Sequence, residues 1–359
     1  MVYYIATMQT RFTDGFYHEP GIYFGLPFEE YARDWSLGSS DLVNLLISPT
    51  TYYWHSRANP RRRERSDTPA LIYGRAIHKA VLEPHRFEDE YGVRPPPPEP
   101  GMLVSLDDLR AKCEELGLAK SGSKKLLISR IREAGDKTPI YDEIVAEWEE
   151  KHAGKVLLDQ DTYDEILDAS RVIRFNYHLE QAFEGGHPEV SVFWEHPSGV
   201  PMRARFDYLK PYCVVDLKSI RNHLKQQWEV AVANAIARHQ YHIQATSYLQ
   251  ARAQLRRFIQ EGRVFGDPID LPNEEWLQEL AESDNFYFYW IFYQAEGAPL
   301  TLAVRFDERD EEFIVSTQRI QHAVETYVEY LNRYGTDLWL EAKQPIQYSN
   351  LSMPMWHGQ

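Results

Sequence analysis

Two aspartates and a lysine occur in a pattern that suits metal-assisted hydrolysis of a phosphodiester. Asp207 lies near the end of the segment MRARFDYL, and Asp216 and Lys218 follow in VVDLKS. Residues two apart in a strand point to the same face, so two paired strands would bring both carboxylates and the ammonium together. Carboxylate oxygens bind Mg²⁺, which polarises a phosphate and lowers the pKa of a bound water. A lysine ammonium can orient that water and stabilise developing negative charge.

Gln244 and Tyr248 follow about one helix later, in QYHIQATSYLQ. They are four residues apart, hence on one helical face, and could reach the same edge of the sheet. Val214 and Val215 make the approach to Asp216 apolar, so a charge at that position needs a reason. A D-x-K triplet alone is usually an exposed strand pair, and Gln244 with Tyr248 alone would be a surface pair. Together, in this order along the chain, the five residues form an ordered set that indicates one site: Asp207, Asp216, Lys218, Gln244 and Tyr248.

The elements that must position these residues are predicted from hydrophobic periodicity. The region 189–218 alternates apolar and polar residues in EVSVFWEH, PMRARFDYL and YCVVDLKS, which predicts three strands of an antiparallel meander. A long helical region is predicted from about 226 to 260. FYFYWIFYQ and LTLAVRFD predict two strands of a hairpin around Glu296-Gly297. A last helix is predicted near 310–334.

Two helices are predicted before the sheet. The segment 36–57 predicts a helix capped by Ser39 or Ser40 and stopped by Ser48-Pro49. The segment PALIYGRAIHKAVLEP, residues 69–84, predicts a second helix with a proline at its start. The prolines of 95–98, continued by Glu-Pro-Gly, read as a stiff polyproline spacer and mark the clearest boundary in the chain.

Residues 105–135 predict two short helices, the first ended by Gly117 and the second opened by Ser121-Gly122-Ser123. The pair resembles a SAP module, a helix–extended–helix element that binds DNA. In that interpretation the basic residues of the second helix bind the phosphates of the duplex independently of its sequence. These residues are Lys124, Lys125 and Arg130. A plain helical hairpin that docks a protein is the alternative.

Composition limits the classes of function. The 359 residues are 43% hydrophobic, and no apolar run is long enough to cross a bilayer. Cys113 and Cys213 are too few for a disulfide framework, a four-cysteine zinc site or a cysteine-bound iron–sulfur cluster. The net charge of −15 does not exclude DNA, because contact depends on local patches such as 57–65 and 119–132. A solvated charged surface is the alternative for each patch.

The ordered aspartate, D-x-K and Q-x-x-x-Y resemble the PD-(D/E)XK nuclease core shared by lambda-type exonuclease, RecB and RecE. Upstream, the segment from Gly74 to His78, followed by Leu-Glu-Pro, resembles the G-x-x-x-H helix of the RecB/RecE branch. GIYFGLPFEEY and the segment from Leu37 to Tyr53 are similar to the RecE, or exonuclease VIII, family of phage recombination systems. The resemblance covers most of the chain outside 99–140.

This resemblance implies an α/β fold, a restriction-endonuclease-like core with a central mixed sheet flanked by helices. Segments 1–98 and 141–359 would form that core, and 99–140 would be the SAP-like insertion. The implied metal ligands are His78, Asp207, Asp216 and the carbonyl of Leu217. Lys218 would act on the attacking water, and Gln244 and Tyr248 would hold the lysine, the water or the DNA backbone. Glu189 would be an accessory carboxylate, with Glu195 as the competing choice.

The arginines that the resemblance places near DNA are Arg75, Arg203 and Arg205, although Arg203 could instead pair with a surface carboxylate. RecE-like enzymes degrade the 5′ strand of linear duplex DNA, leave 3′ overhangs and form rings. They pass the product to a single-strand annealing protein of the RecT type. The resemblance therefore implies a Mg²⁺-dependent exonuclease, with Mn²⁺ as a substitute, encoded by a phage or prophage and located in the bacterial cytoplasm, with no membrane partner.

Three other classes stay open from sequence alone. One is a non-catalytic DNA-binding protein with a degenerate nuclease fold, which the complete set of two aspartates and a lysine argues against. Another is a RecB-like nuclease of a repair or defence system. Coupling to a helicase within this chain is disfavoured because it contains no G-x-x-x-x-G-K-[ST] loop. The third is a protein-interaction scaffold, suggested by 13% aromatic residues and the negative charge.

Overall fold

The computed structural model of the protein describes residues 8–63, 68–179 and 181–341. The chain folds as two compact units. The first is formed by Met1–Asp67 together with Ile173–Gln359, and the second by Thr68–Val172. The predicted catalytic strands and the predicted Q-x-x-x-Y helix belong to the first unit, and the predicted SAP-like hairpin belongs to the second.

In the described part of the first unit, seven strands form a mixed sheet in the order β7-β1-β4-β5-β6-β8-β9. Their bounds are β1 Gly21–Tyr23, β4 His187–Glu195, β5 Pro201–Lys210, β6 Cys213–Ile220, β7 Val264–Phe265, β8 Tyr287–Gln294 and β9 Thr301–Phe306. Strands β4, β5 and β6 are antiparallel neighbours, so the predicted meander is confirmed. Strand β8 is parallel to β6 and forms the predicted hairpin with β9. The predicted α/β class with a central mixed sheet is confirmed.

The helices of this unit are α1 Phe28–Arg33, α2 Ser39–Ile47, α3 Pro49–His55, α10 Trp228–His239, α11 Tyr241–Gln260, α12 Glu274–Glu282 and α13 Glu311–Tyr334. Helices α11 and α13 contribute to one apolar core with the sheet, in which Phe206, Phe258 and Phe288 are fully buried. Burying each such ring stabilises the fold by about 1.5–3 kcal/mol. This core therefore fixes α11, which carries Gln244 and Tyr248, against the sheet.

The helical region predicted over about 226–260 is confirmed, and it consists of two helices. Gln240 separates α10 from α11 and has left-handed backbone angles, φ 52° and ψ 42°. A left-handed residue ends a helix, and the chain then starts α11 in a new direction. Neither glycine nor proline occurs next to Gln240, so the position of this break was not predicted from the sequence.

The predicted cap of α2 is also wrong. The helix is capped by Gly38, whose N–H donates to the Asp41 side chain at 2.9 Å. Ser48 ends α2 as predicted, and it also caps α3, since its Oγ accepts the N–H of Thr51 at 3.0 Å. Pro49 is then the first residue of α3, where a missing N–H costs nothing.

The second unit contains α4 Pro69–Leu82, α5 Pro84–Glu90, β2 Tyr91–Val93, α6 Leu106–Glu115, α7 Lys124–Glu133, α8 Tyr141–Lys151, β3 Val156–Leu158 and most of α9 Gln160–Arg174. The two helices predicted over 105–135 are confirmed as α6 and α7. Ser105 and Ser123 cap them, and Gly117 follows α6 with φ +70°. They share a small apolar core of Leu109, Cys113, Leu127, Ile131 and Ile140. The segment bounds 1–98, 99–140 and 141–359 stay predictions.

Both cysteines are free and buried. Among the helices in the described part of the chain, none combines the length and the apolar character that a bilayer-spanning segment requires.

Candidate active site

Strands β5 and β6 part at the two aspartates that the sequence singled out. Their ladder ends with Tyr208 opposite Val215, so Asp207 and Asp216 are the next residues along each strand. In place of a further ladder bond, the Asp207 carboxylate accepts the backbone N–H of Leu217 at 2.8 Å. The sheet therefore opens where the two carboxylates lie, and the aspartate satisfies a backbone group that the opening would leave without its strand partner.

The Asp216 carboxylate is fully buried and is held from two sides. Its Oδ2 lies 2.6 Å from the Nζ of Lys218, and its Oδ1 accepts a hydrogen bond from Gln244 Nε2 at 3.0 Å. A buried carboxylate needs such charged and hydrogen-bonded partners to stay ionised. Three of the predicted site residues, from β6 and α11, therefore form one contiguous group.

The Lys218 amine remains a cation in this surrounding. Burial lowers the pKa of Lys218, but the charges of Asp216 and Asp207 outweigh burial and raise it above its usual value. The side chain is only 16% exposed. Lys218 can therefore supply a positive charge, and the N–H donors that are not directed at Asp216, to a reacting phosphate or to a water.

For the pKa of Asp207, the effect of burial outweighs that of the neighbouring lysine charge. Burial raises the pKa of Asp207 to about 6; Lys218 opposes that rise and the charge of Glu189 adds to it. A bound divalent cation would reverse this effect, because it favours the ionised carboxylate. A carboxylate that is costly to ionise without a cation is typical of functional sites.

Tyr248 lies one turn after Gln244 on α11 and is buried. Its ring contacts Phe206 and Phe288 edge-on, with centroids 5.3 and 6.1 Å apart. Burial, then the charges of neighbouring acidic groups including Asp216, raise the pKa of Tyr248 well above 10. The phenol is therefore a neutral group beside the site, and its predicted role toward the lysine, the water or the DNA stays a prediction.

Glu189 lies opposite Asp207 across β4 and β5, since the residues on either side of Glu189 pair with those on either side of Asp207. Carboxylate oxygens of the two residues are within 4.8 Å of each other. Glu189 has φ +54°, which costs a non-glycine residue about 1–3 kcal/mol and is found mostly at functional sites. Arg205 Nε donates to its Oε2 at 2.5 Å. An arginine therefore fixes a strained glutamate beside Asp207.

Glu195, the competing choice, lies at the far end of β4, opposite Pro201. Its carboxylate is about half exposed and pairs with Arg11 at 2.8 Å. The geometry therefore favours Glu189 as the accessory carboxylate.

We expect Glu189→Gln to lower the rate of metal-dependent DNA cleavage by roughly 10–100-fold, the loss typical when a group supporting a metal site is removed. Glu195→Gln, the matched control on the same strand, should stay within about twofold of wild type, because exposed ion pairs contribute little. Cleavage rates of the two variants at saturating Mg²⁺ test this. An equal loss in both would contradict the assignment.

The two arginines predicted to contact phosphate both make contacts inside the protein. Arg203 Nη1 donates to the carbonyls of Tyr31 and Asp34 at 2.7 and 2.8 Å, and Nη2 lies 3.8 Å from Asp41. Besides Glu189, Arg205 donates to the Leu26 carbonyl at 2.8 Å. A guanidinium has five N–H donors, so a further phosphate contact is chemically open. That role stays a prediction for both.

The predicted DNA-binding residues of the helical hairpin differ in their surroundings. Lys124 pairs with Asp142 at 2.6 Å, and Arg130 donates to the carbonyls of Ala119 and Ser121. Lys125 is exposed. Part of the basic character that the sequence suggested is therefore taken up by contacts within the second unit.

His78 and Arg75 lie on α4 in the second unit, His78 half-buried and Arg75 exposed. Their predicted roles, as metal ligand and DNA contact, stay predictions. The arginine-rich segment 57–65 is described as far as residue 63, and residues 64 and 65 lie outside the described residues.

The sequence interpretation missed Tyr241, whose ring centroid is 5.2 Å from the Nζ of Lys218. The available signal was its spacing, because Tyr241 precedes Gln244 by three residues and so shares its helical face.

The oxygens gathered here fit a hard divalent cation. The carboxylates of Glu189, Asp207 and Asp216 and the carbonyl of Leu217 are the ligand type that Mg²⁺ and Mn²⁺ prefer. Of these, the carboxylate oxygens of Glu189 and Asp207 lie within 4.8 Å of each other, close enough to share one ion.

Comparison with known proteins agrees with this arrangement. A family model described as "PDDEXK-like domain of unknown function (DUF3799)" matches residues 38–264, which is more than half of the chain and includes the five residues of the ordered set. No curated protein matches the sequence. A similar solved structure is that of a protein from Eubacterium rectale described as a "Putative exonuclease", at 12% identity over 86% of this chain and 84% of that one. The two structures superpose with a TM-score of 0.41.

Proposed function

Because the chain belongs to the PDDEXK-like family DUF3799, we propose that it is a metal-dependent nuclease that degrades linear duplex DNA from its ends. One observation carries this proposal. The buried Asp216 carboxylate is held between Lys218 and Gln244, next to Asp207, where the sheet opens. A buried cluster of charged groups stabilises a fold no better than apolar side chains of similar size would. Its presence in an otherwise apolar sheet therefore supports a functional role.

Asp207, Asp216, Glu189 and the Leu217 carbonyl would hold the cation, and His78 is proposed as a further ligand from the family resemblance. When bound, Mg²⁺ supplies a Lewis acid for the phosphate and a more acidic water. Lys218 would place its ammonium beside the reacting phosphate oxygens, where developing negative charge is stabilised. Gln244 would keep the Asp216 carboxylate oriented through its hydrogen bond. The Tyr248 ring packs edge-on against Phe206 beside the site.

The finer parts of the proposal are supported by the resemblance to RecE-like enzymes. They are digestion of the 5′ strand, 3′ overhangs for annealing-type recombination, a homo-oligomeric ring, transfer of the product to a RecT-type annealing protein, and a phage or prophage origin with action in the bacterial cytoplasm. Mn²⁺ is expected to substitute for Mg²⁺, since both accept oxygen ligands.

The hairpin of α6 and α7 is proposed to add a sequence-independent contact with the duplex through Lys125. We expect Lys125→Ala to reduce the slope of log binding constant against log salt by about 0.9, the value for one lost phosphate contact. Lys112→Ala is the matched control, since Lys112 pairs with Glu115 and Asp136 on the same hairpin. If neither variant changes the slope, a protein-docking hairpin becomes the better interpretation.

The proposed function is tested by digestion of linear duplex DNA labelled separately at each 5′ and 3′ end, with Mg²⁺, with Mn²⁺ and with EDTA. Metal-dependent release of the 5′ label ahead of the 3′ label is expected. Release of the 3′ label first would overturn the polarity but not the nuclease. A protein that binds the duplex and cuts neither end with either metal would be a DNA-binding protein with a nuclease fold.

A further inference from the structure

Tyr241 is the first residue of α11, and its ring lies over the Lys218 ammonium at 5.2 Å from Nζ to centroid. A second contact of that ammonium is the Asp216 carboxylate at 2.6 Å. The cation is therefore attracted both by a negative charge and by the electron-rich face of a ring. Because the lysine stem has four rotatable bonds, two contacts restrict the ammonium far more than one.

The ring of Tyr241 is itself held in place. It packs against Phe292 of β8, with centroids 6.2 Å apart, and stacks on His239 of α10 at 5.3 Å with 25° between the planes. Tyr241 is half-buried. Burial raises the pKa of Tyr241, with Lys218 opposing that rise, so the ring is neutral at neutral pH.

The side chains of the residues on both sides of Tyr241 contact one arginine of α13. Arg319 donates to the side chain of Gln240 and lies 2.9 Å from Nε2 of His242. Gln240 is the left-handed residue between α10 and α11, a conformation that a non-glycine residue keeps only when its surroundings impose it. The break between the helices therefore sets where α11 begins and where the Tyr241 ring points.

We propose that Tyr241 is a positioning residue that holds the Lys218 ammonium at the reacting phosphate. This inference rests on the proposed nuclease function. Tyr241 acts through the lysine, so its ring face is needed and its hydroxyl is not. Loss of the ring leaves Lys218 free to rotate away from the geometry that the transition state requires.

The test compares Tyr241→Phe, which keeps the ring face, with Tyr241→Leu, which keeps apolar volume and loses the ring. Tyr330→Leu is the matched control, because Tyr330 is a half-buried tyrosine of α13 with ring contacts to Tyr334 and Trp339. Mg²⁺-dependent cleavage of end-labelled duplex gives kcat and KM, and thermal unfolding shows whether each variant is folded.

We expect Tyr241→Leu to lower kcat about tenfold, equivalent to about 1.4 kcal/mol of transition-state stabilisation, with KM unchanged. Tyr241→Phe should stay within about twofold of wild type, and Tyr330→Leu should lower the melting temperature without lowering kcat.

Three outcomes overturn the inference while wild type still cleaves. They are a Tyr241→Leu protein with wild-type kcat, a Tyr241→Leu protein changed only in KM, and a Tyr241→Phe protein as impaired as Tyr241→Leu. A wild-type protein that does not cleave DNA overturns the proposed function and this inference with it. Cleavage by the wild-type protein therefore distinguishes failure of this inference from failure of the proposed function.

Discussion

Asp216→Asn is expected to lower Mg²⁺-dependent DNA cleavage by at least about a thousandfold, because a bound metal ion contributes several kcal/mol of transition-state stabilisation. The substitution removes the buried charge that faces Lys218 Nζ at 2.6 Å and Gln244 Nε2 at 3.0 Å. An asparagine amide can accept only one of these two donors, and its own NH₂ would face the other. The lysine would lose its orientation together with the metal ligand.

The measurement is the initial rate of end-labelled duplex digestion, with DNA affinity determined separately with Ca²⁺ in place of Mg²⁺. Asp284→Asn is the control, since Asp284 is 83% exposed and pairs only at the surface with Arg256. DNA affinity should be unchanged in both proteins. A cleavage rate for Asp216→Asn within tenfold of wild type would remove Asp216 from the site.

Lys218→Met is expected to abolish cleavage and also to lower the free energy of unfolding by about 3–5 kcal/mol, the usual cost of leaving one member of a buried ion pair without its partner. Asp216 is fully buried, and the Lys218 side chain is 16% exposed. Without the ammonium, Asp216 and Asp207 would lose a cation that interacts with both carboxylates.

The double variant Asp216→Leu with Lys218→Met should recover most of that stability and none of the activity, because apolar side chains of similar size replace a buried pair at little cost. Urea unfolding in EDTA measures the three proteins without metal. If Lys218→Met unfolds at the wild-type urea concentration, the pair does not stabilise the folded protein. Equal losses in the single and double variants would attribute the effect to packing instead of charge.

The sequence by itself determined the local elements and the order of the chemical groups. Alternation of apolar and polar residues predicted β4, β5 and β6, since side chains in a strand have a period of two. Gly117 and the segment Ser121-Gly122-Ser123 predicted where the two helices of 105–135 end and begin, and the structure contains both helices. The spacing of Asp216 with Lys218 and of Gln244 with Tyr248 predicted shared faces, and the structure places three of these four in direct contact.

The tertiary structure alone decided which distant groups meet. Glu189 and Glu195 are both glutamates of one strand, and only the pairing register of β4 with β5 places Glu189 beside Asp207. The Gln240 side chain at the helix break is contacted by Arg319, nearly eighty residues later in the chain. The internal use of Arg203 and Arg205 likewise depends on carbonyls contributed by the N-terminal region. Periodicity is a property of neighbouring residues, whereas register, strained backbone and ion pairing arise from contacts between segments far apart in sequence.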